Sequence, residues 1–194
     1  MEEYPEDIYM LKPNNCTLFS GGAAGTEAFF GSLAERYGIQ EVHFSFEGHQ
    51  PERTHGLRIL TTDELAMKDV SLSYVSKLLK REYTCASIFR KVLQSICWQV
   101  SHGHEVYVVG VILEDGTVRG GTGWGAEFAK ICNKILFVYD QSKKGWFHWE
   151  NDRWLPESDP VIQHRQFTAT GTRFLEKSGR AAVEELFARS FVKI

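Results

Sequence analysis

Three times in this chain, a run of strand-like apolar residues breaks into a glycine turn and a helical pattern follows. The first is the clearest. Cys16-Thr17-Leu18-Phe19 reads as a short buried strand and runs straight into Ser20-Gly21-Gly22-Ala23-Ala24-Gly25. From Thr26 to Tyr37 the apolar positions Ala28, Phe29, Leu33, Ala34 and Tyr37 recur at helical spacing, and Gly38 supplies a natural stop. Val42 to Phe46 then alternates like a second strand. Strand, turn, helix and strand in so short a span predict a βαβ unit, whose right-handed crossover makes the two strands parallel.

The second instance follows Glu105 to Leu113 (EVYVVGVIL), a valine-rich run that suits a central strand covered on both faces. Glu114-Asp115-Gly116-Thr117 makes a tight turn and Val118 starts a short return. The glycine loop Arg119-Gly120-Gly121-Thr122-Gly123-Trp124-Gly125 leads to a helix expected over Ala126 to Asn133. The third instance is the strand Gln166 to Ala169, the turn at Gly171-Thr172-Arg173 and a closing helix from Phe174 to about Ser190.

Between these units, residues 47–61 show no period and read as a surface loop. Helices are expected from Thr62 to about Arg81 and from Cys85 to Ser101, and a buried strand at Ile135 to Tyr139. The aromatic stretch 145–155 reads as a hairpin on the sheet's edge, its Trp146, Trp149 and Trp154 serving packing. Residues 1–14 form a lead-in. The pattern predicts an α/β fold: one domain, a three-layer sandwich with a mostly parallel central sheet and an edge hairpin insertion.

Charge and cysteine content narrow the function classes. Lys plus Arg is 22 against 25 for Asp plus Glu, a net charge of −3, so a strongly basic nucleic-acid footprint is absent. Cys16, Cys85, Cys97 and Cys132 form no CxxC pair and are expected to be buried thiols. The first residues are acidic with no basic leader, and no stretch approaches 18 apolar residues. A soluble cytoplasmic protein is expected, with no membrane partner.

In parallel sheets, ligands sit at the carboxyl ends of the strands, where all three glycine turns are expected. Ser20, Gly21, Gly22, Ala23 and Gly25 carry no bulk, so their amides can approach an anion beside a helix N-terminus. The segment is neither GxGxxG nor a P-loop, for no lysine follows its last glycine. Gly120, Gly121, Thr122 and Gly123 repeat the arrangement, with Thr122 adding a hydroxyl. His49 follows the second strand and can meet a phosphate or act as acid or base. Gly171, Thr172 and Arg173 end the last strand, where Arg173 can clamp a phosphate. Trp124 either stacks on a base or covers the loop as packing. His43, His49 and His55 recur every six residues, which fits neither a helical nor a strand face, so no metal site is expected.

A GG-rich strand-to-helix turn near the N-terminus and GGxGxxxE about a hundred residues later resemble the SLOG superfamily of Rossmann-like domains. That group includes the Lonely-guy phosphoribohydrolases (lysine decarboxylase-like proteins), the DNA-processing protein DprA and molybdenum-cofactor carrier proteins. The hydrolase motif PGGxGTxxE is matched at Gly120, Gly121, Gly123 and Glu127, while Arg119 replaces its proline and Trp124 its threonine. The resemblance implies a Rossmann-like nucleotide-binding domain, a homodimer and no cofactor. It implies that Glu127 and an arginine on the preceding helix, Arg90, cleave the N-glycosidic bond of a nucleoside 5′-monophosphate. Two other functions stay open: a non-catalytic carrier or sensor of a nucleotide or pterin cofactor, and single-stranded DNA binding, which the net charge disfavours.

Overall fold

Every position of β4 (Glu105–Gly110) is buried: the apolar run from Val106 requires it, and Glu105 is satisfied by the amides of Gln163 and His164. Side chains alternate across the strand. Val106 and Val108 join one core, while Tyr107 and Val109 join another on the opposite face. The computed structural model describes residues 11–83 and 87–191. In chain order the other elements are β1 (Thr17–Ser20), α1 (Thr26–Tyr37), β2 (Gln40–Phe46), β3 (Leu57–Leu60), α2 (Thr62–Ala66), α3 (Asp69–Leu79) and α4 (Ser87–His102). After β4 come α5 (Thr122–Ile131), β5 (Ile135–Asp140), β6 (Gly145–Glu150), β7 (Arg153–Glu157), β8 (Gln166–Gly171) and α6 (Lys177–Ser190).

The eight strands form one sheet in the order β3-β2-β1-β8-β4-β5-β6-β7. The pairings from β3 through to β5 are parallel, and the aromatic hairpin β6–β7 adds two antiparallel strands at one edge. Helices α1 and α6 cover one face through Phe30, Leu33, Leu186 and Phe187. Helices α3, α4 and α5 cover the other through Leu72, Leu93, Val100 and Phe128. This is the expected three-layer, Rossmann-like sandwich. No helix among the described residues is long and apolar enough to cross a membrane.

The crossover through α1 carries the chain outward from β1 to β2, and that through α5 carries it the other way, from β4 to β5. The direction of winding therefore reverses between β1 and β4, where β8 is inserted last. Such a switch point opens a crevice at the carboxyl ends of the strands.

Several boundaries differ from expectation. Leu57–Leu60 is not loop but the edge strand β3, parallel to β2. It is only four residues long and three of them are exposed, so it carries no hydrophobic alternation. The stretch expected as one helix from Thr62 is two. Thr61 caps α2 in a reciprocal box with Glu64, and the chain breaks at Met67–Lys68 before α3. Helix α5 starts at Thr122 rather than Ala126, so Gly123, Trp124 and Gly125 are helical. Cys16 and Cys97 are buried, but Cys132 is exposed in the turn that ends α5. Cys85 and residues 1–10 of the lead-in lie outside the described residues, while Pro13–Asn15 makes a single 3-10 turn.

Candidate functional site

A cleft of about 1040 Å³ opens at the switch point. That is the upper end of the roughly 300–1,000 Å³ typical of small-molecule sites. Its wall takes Gly21 and Ala23 from the first glycine turn, Gly120, Gly121 and Thr122 from the second, and Gly171, Thr172 and Arg173 from the third. His49 lines it as well. The three turns thus share one crevice.

The first turn is already occupied. The amides of Gly21 and Ala23 both donate to Glu27 Oε2, each at 3.1 Å. Thr170 Oγ1 donates to Glu27 Oε1 at 2.9 Å. Glu27 lies in the first turn of α1 with only 6% of its surface exposed, and it too lines the cleft. The anion-binding geometry expected at Ser20 to Gly25 is present, but the chain's own carboxylate fills it. Burial pushes the Glu27 carboxyl above its ordinary range, against the opposing pull of the amides, the Thr170 hydroxyl and Arg173.

Ser20, Gly22 and Gly25 stay behind this surface. Ser20 Oγ accepts from the amide of Gly22 at 3.2 Å and shares a 2.7 Å hydrogen bond with His43 Nδ1. The other ring nitrogen of His43 bonds Glu41 Oε2 at 2.8 Å, and Glu41 is gripped at both oxygens by Arg53. The carbonyl of Gly22 accepts from the amides of Glu52 and Arg53 at 2.9 and 3.0 Å. A buried chain of polar groups therefore holds the turn from below, and burial lowers the His43 pKa against the opposing pull of Glu41. Gly25 stands at φ +90, with the backbone of Arg173 where a Cβ would go. Sequence reasoning missed this network, although Glu41 and His43 are spaced two apart on a strand and so share a face.

The second turn is open. The amides of Gly121 and Thr122 at the start of α5 have no hydrogen-bond partner among the described residues, and no side chain caps the helix. Arg119 lines the cleft beside them. Arg81, which sequence reasoning also missed, secures this loop by donating to the carbonyls of Gly120 at 2.9 Å and Val118 at 3.2 Å. Gly123 is there for packing: a Cβ would overlap the Val118 carbonyl. Trp124 is core, 3% exposed and packed near Tyr83, so it does not face the cleft.

The structure does not bring Glu127 and Arg90 to the cleft. Glu127 pairs with Lys130 at 3.1 Å, and that ammonium sits 3.7 Å from the centre of the Trp149 ring. Arg90 pairs with Asp69, which also accepts from Tyr83 and Gln94. Both therefore serve the α3–α4–α5 side of the molecule.

The rest of the lining mixes polar side chains, Ser95, Gln99, Gln141 and Glu176, with an apolar part made by Ile88, Phe89, Val92 and Ile96 of α4 and by Phe174. Phe89 is 41% and Phe174 85% exposed, an uncovered apolar rim on an otherwise built site. His49 Nδ1 bonds Ser45 Oγ at 2.9 Å and its ring stacks on Phe46, and burial lowers the imidazole's pKa. Gln141 fixes the third turn by donating to the Phe174 carbonyl and accepting from the Glu176 amide. Among the described residues, no group of three or more metal-ligating side chains is gathered. The cleft thus offers an amide-rich end with Arg119, an apolar stretch of α4, the buried carboxylate of Glu27 and the exposed one of Glu176. Compared with protein-family models, curated proteins and solved structures, the chain finds no match.

Proposed function

We propose that the cleft binds a nucleoside 5′-monophosphate or a related nucleotide-derived phosphate. The observation that carries this reading is the contrast within one crevice: amides filled by Glu27 at one turn, unpartnered amides at the other. A phosphate fits at the start of α5, where the helix dipole, the amides of Gly121 and Thr122 and the guanidinium of Arg119 favour an anion. A base fits against Phe89, Val92 and Ile96. The ribose then spans the floor beside Glu27.

The catalytic form of this reading is hydrolysis of the N-glycosidic bond. The C1′–N bond breaks, water oxygen bonds to C1′, and a proton goes to the departing base. Glu27, not Glu127, is the carboxylate in position to stabilise the positive charge that develops on the ribose. One observation favours the carrier or sensor reading instead: three internal donors already engage the Glu27 carboxylate, which gives it a structural task.

Incubation with the adenosine, guanosine, cytidine and uridine monophosphates, followed by chromatography, separates the two. Free base with ribose 5-phosphate establishes the hydrolase. Binding without release establishes the carrier, and no binding of any nucleotide overturns both.

A further inference from the structure

Two buried amides line the cleft: Gln141, whose side chain is hydrogen-bonded at both ends, and Gln99 on α4, 1% exposed. Its main-chain carbonyl accepts from Thr168 Oγ1 at 2.8 Å, which ties the helix to β8. Its side chain has no such tie. Oε1 is buried with no hydrogen-bond partner among the described residues. A buried amide left unpaired loses its hydration without return, so such groups point to a partner yet to arrive.

The place of that amide identifies the partner's chemistry. Gln99 Nε2 lies 2.5 Å, and Glu27 Oε2 2.9 Å, from the point where a Cβ on Gly21 would stand. The missing side chain of Gly21 is therefore what lets an amide from α4 and a carboxylate from α1 approach the same point of the floor, from opposite layers of the sandwich. A carboxylate accepts hydrogen bonds, and an amide presents a donor or an acceptor after a half-turn of its last torsion. A hydroxyl, donor and acceptor at once, satisfies both together.

We propose that Gln99 and Glu27 form a hydroxyl-reading pair, and that the cleft selects ribonucleotides over a deoxyribonucleotide lacking the hydroxyl they contact. This rests on the nucleotide reading above, in which the ribose lies over this floor. Gln99 is thereby the residue that determines sugar specificity. A site that hydrogen-bonds a substrate hydroxyl discriminates strongly against the analogue without it, because its own polar groups are then left unpaired.

Calorimetric titration of the wild type and of Gln99→Leu with AMP, 2′-deoxy-AMP and 3′-deoxy-AMP, and with the same forms of GMP, CMP and UMP, tests the pair. In the wild type, one deoxy form is expected to bind at least tenfold more weakly than its ribonucleotide. In Gln99→Leu that ratio is expected to fall below threefold, a change that a merely structural glutamine would not produce. Gln99→Met serves the same purpose should the leucine variant fail to fold, and the wild-type ratios stand without either. Equal affinities for all three sugars in the wild type overturn this inference and leave nucleotide binding intact. So does a ratio that survives the substitution. No binding of any ribonucleotide overturns the nucleotide reading and this inference with it.

Discussion

The β1–α1 and β4–α5 turns look alike in the sequence and differ in what completes them. The first is closed: Glu27 reaches back over its own helix start and takes two amides, while His43 and Arg53 hold the turn from beneath. The second is braced from outside by Arg81, and its leading amides are left to the cleft. A glycine turn before a helix is therefore not by itself a ligand site. What decides is whether a nearby side chain has already supplied the anion.

The strongest way to break this contrast is to open the closed turn. Glu27→Ala removes the acceptor shared by two amides and the Thr170 hydroxyl at the floor of the cleft. Each lost hydrogen bond costs about 0.5–1.5 kcal/mol net where water can reach the freed donor, so the expected loss for the three is roughly 2–4 kcal/mol in urea unfolding. Added acetate is expected to recover part of it by refilling the hole, since a ligand of the folded state alone shifts the equilibrium toward that state. A loss under about 1 kcal/mol, with no response to acetate, would show that the carboxylate does not hold the turn.

The next effect separates glycines that pack from glycines that face the ligand. Gly123→Ala drives a methyl into the Val118 carbonyl and is expected to cost about 1–3 kcal/mol. Gly121 has φ −62 and only Phe89 near its missing Cβ, at 3.8 Å, so Gly121→Ala is expected to leave stability within about 0.5 kcal/mol. Gly121→Val is expected to fold yet lose nucleotide affinity, because the branched chain fills the space beside the open amides. Thermal unfolding paired with nucleotide titration checks all three. Equal costs at positions 121 and 123 would erase the distinction.

How much of this was legible in the sequence follows from local versus distant causes. The parallel core was legible because β4 is apolar at nearly every position and helical periods flank it. The hairpin was legible from its aromatic alternation. Edge strand β3 was not, because Arg58 and the half-exposed Leu57 and Ile59 give it no buried face. At the site, the three turns were legible as glycine clusters, but what fills them was not. Glu27 reads as an ordinary first-turn acid that complements a helix dipole, and nothing local reveals that Thr170, 143 residues away, closes over it. Gln99 sits at a core position of an amphipathic helix, where only the fold shows that its amide meets the cleft. Glu127 drew attention because it completes a motif, yet Lys130, one turn on, engages it.

Protonation gives a smaller effect with a definite sign. The folded Glu27 carboxyl titrates above its unfolded value near 4.5. Between those two values the folded state holds a proton that the unfolded state has released. Its contribution is therefore full below about pH 4.5 and is lost as pH rises through the folded value. The stability of the wild type relative to Glu27→Gln is expected to fall as pH rises above the ordinary carboxylate range. His43 works in the opposite sense: its lowered pKa favours the folded state above about 6.5 and is lost on acidification. Both proteins carry it, so it cancels in the difference. Urea midpoints measured across the pH range read the slope directly. A wild type that gains on the variant with rising pH would mean that the amides outweigh burial and lower the Glu27 pKa instead.

The smallest expected effect falls on the residue that motif matching ranks highest. Glu127 follows the second glycine cluster at the spacing of a hydrolase motif, but its carboxylate points to Lys130 on the same helix rather than into the cleft. That lysine is also held over Trp149 and donates to the Gly116 carbonyl at 3.2 Å, so it keeps its place without the glutamate. Glu127→Gln removes one partly buried helical ion pair, a change expected to cost about 0.5 kcal/mol. Nucleotide affinity, and any base release, are expected to change less than twofold, because no atom of the cleft moves. Glu27→Gln in the same assay is the contrast: it keeps the shape of the floor and removes the charge beside the ribose, so a hydrolase loses turnover there by a factor of about a hundred or more. A large fall at Glu127 with none at Glu27 would reverse the assignment of the two carboxylates. It would require α5 to turn its second helical turn toward the ligand.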